Sequence, residues 1–548
     1  MPAGQTTSTG QAQTATSRAA TGGSSWSPLR HKVFAILWVA TVVSNIGTWL
    51  QNAAAGWLMT GLDPDPLTVA LVQVATTLPI FLLGLPAGAL ADILDRRRLL
   101  IAVQVALTLL TAGFALVVGL GLVTPALLLA FTFLVGAGAA LIAPAWQAIV
   151  PQLVPREELP PAVALNSVGI NISRAVGPAL AGIIIGVAGL AAPFWINALS
   201  NVGVVGALTW WRPSRAEARQ LPAEHFRSAI RTGLRHAANN PHLRATLFRS
   251  AGFFVFASAY WALLPLVARE QIRGGPQLYG ILLGAIGAGA VAGAFTLPSL
   301  KKRLGADKLV AGGTAGTAIA LVLFGVARDA TTALIASIVA GLSWIAVLAT
   351  LNVSAQVALP AWVRGRGLAV FAIVMFGALS AGSALWGQAA SRLGLPAAHF
   401  VAAAALLLAV PLLWRWKLQT GADVDMSPSL HWPAPVSSRE LAGDRGPVLV
   451  TVEYRVPADN HRAFLDAMTA LKGQRRRDGA YGWGLYQDAA LPERFVETFQ
   501  LSSWLEHLRQ HERVTQADRQ HQERITTLLA AGTTPVVTHL IAPDDYEW

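Results

Sequence analysis

Residues 88–100 read G-A-L-A-D-I-L-D-R-R-R-L-L and place a short charged segment between two long apolar runs. Its charged residues are Asp92, Asp95, Arg96, Arg97 and Arg98. A helix that crosses a bilayer needs about 20 predominantly apolar residues, and the run on each side of the segment is that long. The stretch therefore predicts a charged connection between two transmembrane helices.

The composition extends this prediction to most of the chain. Of its 548 residues, 54% are hydrophobic and only 13% are charged, and the mean hydropathy is +0.50. These values exclude a soluble globular protein of this length. The formal charge of +12 sits mainly in short connections between apolar runs, so we expect a lipid bilayer as the partner and no nucleic acid. The absence of cysteine excludes disulfides and thiolate metal sites.

Twelve apolar runs are long enough to cross a bilayer. Lys and Arg concentrate in the connections that follow the even-numbered runs, so we expect both termini in the cytoplasm. The predicted spans cover residues 33–60, 67–91, 99–120, 125–150, 163–188, 191–211, 246–268, 277–300, 308–327, 331–354, 365–389 and 396–416.

An internal repeat relates the two sets of six spans. Gln147 and Pro151 recur as Gln356 and Pro360, 209 positions later, and a shift of 210 aligns the charged connection with Lys302–Lys308. Transporter halves often show such similarity. The predicted regions are a disordered cytoplasmic tail (1–29), an N-terminal half (30–211), a central cytoplasmic loop (212–245), a C-terminal half (246–417), a linker (418–446) and a soluble domain (447–548).

Three strings carry a family resemblance: G-T-W-L-Q-N from Gly47, G-L-P-A-G-A-L-A-D from Gly84 and A-L-N-S-V-G-I-N-I-S-R-A-V-G-P-A-L-A-G from Ala164. Over residues 30–417 the chain resembles the enterobactin-exporter-like (transmembrane secretion effector) branch of the major facilitator superfamily. The resemblance implies an all-α membrane protein with twelve helices in two pseudo-symmetric halves. It also implies a bacterial inner-membrane exporter of siderophores, drugs or other small amphipathic molecules, working by proton-coupled alternating access.

The resemblance implies a conformational latch at the charged connection. The latch would hold the outward-open state through contacts between the halves, although Ile93 replaces a basic residue and Asp95 a glycine of the superfamily motif. The alternative is a solvated loop whose arginines only set the topology. The residues concerned are Gly88, Asp92, Asp95, Arg96, Arg97 and Arg98, with Lys302 and Arg303 from the second half.

The fifth span contains R-A-V-G-P-A-L-A-G, which resembles the exporter motif G-P-x-x-G-G with Ala181 in place of one glycine. A proline inside a span removes a backbone hydrogen bond, and flanking glycines permit close packing. Its members are Arg174, Gly177, Pro178 and Gly182. An arginine inside a span is costly unless it faces a wet cavity or an anion, so Arg174 either contacts substrate or extends to the headgroups.

Amide and aromatic side chains mark a candidate substrate cavity in the spans. The alternative for each is an interhelical hydrogen bond or an interfacial aromatic position. No acid lies near the middle of a span, so an acidic proton carrier would be peripheral: Asp63, Asp65, Glu270 or Asp92. The cavity candidates are Asn45, Trp49, Asn52, Gln147, Asn171, Arg174, Tyr260, Trp261, Asn352 and Gln356.

Residues 447–542 show the order strand–helix–strand–strand–helix–strand, with the second helix predicted over Ser502–Ala530. This is a ferredoxin-like order, and the segment resembles small dimeric domains of the antibiotic-biosynthesis-monooxygenase type, which implies homodimerisation. His507 and His511 have a spacing that can bind metal, but a solvated helix face is favoured. We predict no catalytic residue, cofactor or metal; the alternative function is a membrane-anchored monooxygenase-like enzyme or sensor.

Overall fold

A computed structural model describes residues 26–212, 226–360, 362–419, 425–427, 429, 431–432 and 445–543. Within these ranges the side chains of residues 89, 92, 93, 156 and 226–232 are not described. Most of the predicted tail over 1–29 and of the predicted linker over 418–446 lies outside the described residues. The side chain of the latch candidate Asp92 lies outside them too.

Helices account for the membrane part of the chain. In the described residues ten helical segments are long and apolar enough to cross a bilayer. The first half contains α1 (Lys32–Leu62), α2 (Pro66–Ile93), α3 (Arg96–Gly119), α4 (Pro125–Ile149), α5 (Leu159–Ala188) and α6 (Ala192–Trp210). The second part contains α7 (Phe226–Asn239), α8 (Pro241–Leu266), α9 (Pro276–Val326), α10 (Ala330–Val357), α11 (Arg364–Leu393) and α12 (Leu395–Leu413).

Two features reconcile the ten segments with twelve predicted spans. The 51 residues of α9 are interrupted at Gly305, whose φ of +75° is not helical, and at 1.5 Å per residue they would measure about 76 Å against a hydrocarbon core of about 30 Å. They therefore form two crossing arms. The 19-residue α6 is the twelfth helix, and its Asn197 and Asn201 are buried.

Polar side chains join the helices inside the first half. Asn201 accepts hydrogen bonds from Ser44 (2.7 Å) and Gln104 (3.0 Å), which connects α6 to α1 and α3. Asn197 donates to the Gln51 side chain at 2.6 Å. Buried amides are stable in an apolar bundle only when paired, so these contacts fix the packing of the half.

The predicted loop over 212–245 is wrong in its second part. The structure places the amphipathic helix α7 there, and α8 begins at Pro241 rather than at residue 246. The Asn240 side chain accepts from the backbone N–H groups of His242 and Leu243, and a proline occupies the first helical position. These are normal signals for a helix start, so α8 extends below the apolar run.

Contacts between the halves define two ends of the bundle. The clamped end carries the α1–α2, α5–α6 and α11–α12 connections, and the basic end carries the connections rich in Lys and Arg, together with α7. Asp95 begins α3 at the basic end, where its carboxylate accepts from the Arg98 backbone N–H at 2.8 Å. An N-cap of this kind needs a short polar side chain, which explains the acid at a position where the superfamily motif has glycine.

The soluble part contains β1 (Val448–Arg455), α13 (His461–Arg477), β2 (Tyr481–Gln487), β3 (Arg494–Leu501), α14 (Trp504–Arg513), α15 (Gln516–Thr526) and β4 (Val536–Ile541). The sheet is antiparallel with the order β2-β3-β1-β4. The helices α13, α14 and α15 cover one of its faces. The predicted single helix over Ser502–Ala530 is wrong: Thr515 and Asp518 form a capping box that starts a new helix.

Candidate substrate site between the two halves

The two halves meet closely at the clamped end. Ser391 of α11 donates to the Asp65 carboxylate (2.8 Å) and accepts from the Leu67 backbone N–H (3.1 Å). Arg269, at the end of α8, donates to the Thr60 hydroxyl at 3.1 Å and lies over the Trp57 ring. Each of these contacts joins a residue of the first half to one of the second. The clamped end is therefore closed in this conformation.

The Gly-Pro motif of α5 lies at the contact with the first arm of α9. A Cβ atom added at Gly182 would lie 2.6 Å from the Pro276 carbonyl oxygen, and one added at Gly280 would lie 2.7 Å from that of Pro178. Gly177 faces α1 in the same way, with Trp49 beside it. Contacts below 3.0 Å are not tolerated, so these glycines are required for the two helices to approach each other.

Arg174 lies one turn before this motif and its side chain turns toward the interior. Its guanidinium carbon is 5.4 Å from the centroid of the Trp49 ring on α1, a cation–π distance. The Tyr260 phenol of α8, in the other half, is near it. The guanidinium therefore contacts α1, and its Nε is buried inside the helical bundle.

Aromatic rings continue the site across α8 and α10. Tyr260 and Trp261 have ring centroids 5.5 Å apart, and Trp344 of α10 is 5.5 Å from Trp261 in an edge-to-face arrangement. Trp344 was not predicted as a site residue, because a lone tryptophan in an apolar run is equally typical of a lipid-facing position. Together the rings form an apolar wall between α8 and α10, of which Tyr260 is near Arg174.

Three buried polar groups in this cluster make no hydrogen bond of standard geometry. They are Nε of Arg174, the hydroxyl of Tyr260 and the indole N–H of Trp261, and the last two are close enough to interact with each other. A buried donor without an acceptor costs about 1–3 kcal/mol, and more when it is charged. Unsatisfied polar groups therefore lie in both halves, with the charged one on α5.

The other predicted cavity residues divide into two groups. Asn45 and Asn52 are half-buried on α1, close to Trp49 in sequence. The remaining amides lie nearer the basic end: Gln147, Asn171 and Gln356 are exposed, and Gln356 donates to the half-buried Asn352 at 2.8 Å. Asn171 also has a partner on its own helix, the Ser167 carbonyl at 2.9 Å, and the exposure of these amides is compatible with a cleft that opens toward the basic end.

Of the predicted latch residues whose side chains the structure describes, Asp95, Arg96 and Arg97 bond groups within their own half. Arg97 donates to the carbonyl oxygens of Leu208 (2.7 Å) and Thr209 (2.8 Å) at the end of α6, within its own half. Arg96 donates to the Ala91 carbonyl. Gly88 has no atom within 4 Å of an added Cβ, and Lys302 and Arg303 are exposed where α9 bends. Arg97 thus donates to carbonyl groups at the C-terminus of α6, which have no partner within that helix.

The soluble domain packs on the basic end through an ion-pair cluster that the sequence analysis missed. Glu506 of α14 is paired with Arg513 at 2.6 Å and with Arg235 of α7 at 3.3 Å. The Arg513 guanidinium also lies over the Trp362 ring in the α10–α11 connection, 4.6 Å from its centroid. Arg235 and Trp362 lie more than 100 positions from each other and from Glu506 and Arg513, so no sequence spacing could indicate the cluster.

Comparisons with known proteins agree with this architecture. The profile of the transmembrane secretion effector family matches residues 23–546. The staphyloferrin A transporter of Staphylococcus aureus (strain NCTC 8325 / PS 47) is 25% identical over 263 residues, 47% of this chain and 65% of the relative. The enterobactin exporter EntS of Citrobacter koseri is 25% identical over 54% of this chain and 70% of its own length. The multidrug efflux pump Tap of Mycolicibacterium fortuitum is 25% identical over 68% of this chain and 91% of its own length.

Solved structures of transporters have the same fold. A POT family transporter in complex with a thioalcohol-conjugated peptide superposes with a TM-score of 0.59 at 13% identity, covering 70% of this chain and 96% of its own. A bacterial homologue of the iron transporter ferroportin in an inward-facing state gives a TM-score of 0.54 at 16% identity, over 70% and 98% of the two chains. At these identities the likeness concerns the fold alone.

Proposed function

Because the chain belongs to the transmembrane secretion effector family, we propose that it is a secondary active exporter of small amphipathic molecules. The relatives include transporters of siderophores and an efflux pump for drugs. We assign to this chain a substrate with oxygen-bearing polar groups, because the Arg174 guanidinium would pair with them. The chain spans 65% of the length of the staphyloferrin transporter, so substrate identity rests on the site.

The observation that supports the proposal is the buried Nε of Arg174, which has no hydrogen-bond partner, together with the Tyr260 hydroxyl in the other half. A carboxylate or catecholate oxygen would pair with the guanidinium, and an aromatic or aliphatic part of the substrate would pack on the tryptophan wall. Hydrogen bonds that involve a charged group contribute about 1.5–3 kcal/mol each. Asn45, Asn52, Asn171 and Asn352 would line the path to this site.

We assign the six regions of the sequence analysis to this function, with the halves over 30–211 and 246–417. Both termini lie on the cytoplasmic side in this proposal, because the basic end carries the Lys and Arg of the connections. The clamped end is then external and the cleft opens to the cytoplasm, as an exporter requires for loading. We place the protein in a bacterial plasma membrane, and we propose proton coupling as the energy source.

The charged connection acts in this cycle as the proposed latch. Asp92 at the end of α2 is unfavourably placed for the helix dipole, which disfavours an anion at a C-terminus. A contact with Lys302, Arg303 or the loop arginines, made when the halves close at the basic end, would offset that cost. The Arg97 bonds to α6 would keep the loop in position during the motion.

We also propose that the soluble domain forms homodimers through the open face of its sheet. The exposed side chains of Tyr486, Val536 and Leu540 lie on β2 and β4, away from the helices. Mass measurement of the purified protein in detergent tests this proposal. A mass of one protomer at all concentrations would contradict it.

The transport proposal is tested by accumulation in cells. Cells expressing the intact chain are loaded with a panel of siderophores, dyes and antibiotics, and depletion is followed across an imposed proton gradient. We expect depletion of at least one compound, and a loss of about tenfold or more in Arg174→Ala, since 1.4 kcal/mol corresponds to a factor of ten. Arg244→Ala is the matched control, because Arg244 is exposed on α8.

Two further variants separate the possible failures. Arg174→Lys keeps the positive charge but loses Nε and the planar stacking on Trp49, so we expect an intermediate rate. Deletion of residues 418–548 should leave efflux measurable, because the site lies wholly in the membrane part. Loss of all efflux in a deletion that remains inserted would place the function in the soluble domain.

A further inference from the structure

Three histidines meet in the soluble domain, away from the membrane site. His507 and His511 lie one turn apart on α14, and His539 comes from the edge strand β4. The ring centroid of His507 is 4.7 Å from that of His511 and 4.6 Å from that of His539. One ring nitrogen from each histidine lies within 4.8 Å of the other two. The interpretation of His507 and His511 as a solvated helix face is therefore wrong.

His507 is the deepest member and its state requires explanation. Its side chain is 2% exposed, and neither buried ring nitrogen makes a hydrogen bond of standard geometry. Gln510, one turn further along α14, is also fully buried, and its amide is close enough to interact with the His507 ring but makes no hydrogen bond of standard geometry. Buried polar atoms are paired in the great majority of cases. A ligand that accepts electron pairs from nitrogen or oxygen would satisfy this group.

We infer that His507, His511 and His539 form a binding site for one divalent transition-metal ion of the zinc type. Zinc binds histidine nitrogens at about 2.0–2.1 Å in tetrahedral geometry, which places the ligand atoms about 3.3–3.4 Å apart. Small side-chain rotations bring the three nitrogens to that spacing. The Gln510 amide oxygen or a water molecule supplies the fourth ligand.

The surroundings fit a metal site of this type. Trp504 lies beside His507 and Trp432 beside His511, with centroid distances of 5.3 Å and 5.0 Å, and a hydrophobic shell strengthens metal–ligand interactions. No thiol competes, since the chain has no cysteine.

The arrangement excludes a hard cation as the occupant. Magnesium and calcium take oxygen ligands, whereas imidazole suits zinc, nickel, cobalt and copper. Two acids adjoin the histidines along α14: Glu506 is already paired with Arg235 and Arg513, and Glu512 is exposed. The protein ligands are consequently nitrogen donors, and the ion supplies the positive charge. Its ligand His507 directly follows Glu506, which pairs with Arg235 of α7.

The test uses the full chain, purified in detergent with a tag that contains no histidine and treated with a chelator. Zn²⁺ is titrated in competition with a chromophoric chelator, and Co²⁺ is added separately to record its visible spectrum. We expect one equivalent of Zn²⁺, and the intense absorption of tetrahedral Co²⁺. Zn²⁺ should also raise the unfolding temperature of the soluble domain, because a ligand that binds only the folded state stabilises it.

The variants target the two half-buried histidines, because replacing His507 could unfold the domain. His511→Ala and His539→Gln should each weaken Zn²⁺ binding by about tenfold or more, in line with losses of metal affinity at such sites. His521→Ala is the matched control, because His521 bonds the Ala467 carbonyl on α13 and lies outside the cluster. The inference would be overturned if the intact chain bound no stoichiometric Zn²⁺. It would also be overturned if a variant with both His511→Ala and His539→Gln bound Zn²⁺ as tightly as the intact chain.

Discussion

The guanidinium of Arg235 on α7 lies 3.3 Å from the Glu506 carboxylate on α14, and this contact joins the soluble domain to the membrane bundle. Glu506 keeps a second and shorter pair with Arg513, 2.6 Å away. Arg513 in turn stacks on Trp362 in the α10–α11 connection. The soluble domain is thus held against a helix and a connection of the second half, and a change in the position of α10 or α11 is transmitted to it.

Replacing Arg235 by alanine should loosen this contact without unfolding either part. The Arg235 side chain is 23% exposed, so the pair contributes modestly, about 1 kcal/mol, and Glu506 retains Arg513. We expect about fivefold faster hydrogen exchange in α7 and in the first turn of α14. Arg462→Ala is the control, since its pair with Asp466 is exposed. Unchanged exchange in Arg235→Ala would show that the ion pair does not hold the domain.

Acid should weaken the same contact through His236. This residue of α7 is fully buried against Trp362 and Asn240, and burial, followed by Arg477 and Arg513, lowers its pKa to about 3. Arg235 also disfavours its protonation, and only Asp518 favours it. The docked state keeps the ring neutral, whereas the released state takes up a proton below pH 6.5.

The pKa of His236 is about 3 in the docked state and about 6.5 in the released state, so acid favours release. Stability of docking is complete above pH 6.5 and falls by up to about 1.4 kcal/mol per pH unit below it, until the pKa of the docked state is reached. We expect exchange in α7 to accelerate steadily from pH 6.5 to pH 5 after correction for the intrinsic rate. His236→Phe keeps a ring beside Trp362 but cannot titrate, so it should flatten the profile. A wild-type profile that is already flat contradicts the assignment.

Much of the membrane fold could be predicted, because each helix that crosses a bilayer requires a long apolar run in the sequence. The α5 motif and the α2–α3 connection were located for the same reason, since a proline or a charge is conspicuous inside such a run. The helix α7 was missed because its 14 residues are amphipathic and carry no long apolar run. The break at Thr515 was missed because a capping box reads as an ordinary polar stretch within a long helix.

The candidate sites show where sequence information ends. Arg174 and Trp49 were both selected, since each is unusual in its span, but their contact depends on how α1 packs on α5. The metal-site inference needed His539, which lies on a strand 28 positions after His511. One signal was available: His539 alternates with Val537 and Ile541 on β4, which places all three on the helix-covered side of the sheet.

Neutralising Asp92 should reduce transport while the protein remains folded and inserted. In the latch proposal Asp92→Asn removes the charge that meets Lys302 or Arg303 when the basic end closes, so we expect about a tenfold loss in efflux rate with unchanged expression. Asp329→Asn is the matched control, because Asp329 lies outside the predicted latch and asparagine can still cap α10 at this position. Equal efflux by the two variants and the wild type would remove the latch and leave a loop that sets topology.

Cross-linking α2 to α11 should stop the transport cycle. The hydroxyl groups of Thr77 and Ser380 lie 2.7 Å apart across the two halves, and the chain has no native cysteine. Two introduced cysteines, Thr77→Cys and Ser380→Cys, are therefore the only thiols, and their sulfur atoms would start within reach of a disulfide. Alternating access requires these helices to separate when the clamped end opens. We expect oxidation to lower efflux to the level of cells without the protein and a reductant to restore it. Each single-cysteine variant should remain active under oxidation, and undiminished efflux by fully cross-linked protein would show that α2 and α11 stay together throughout the cycle.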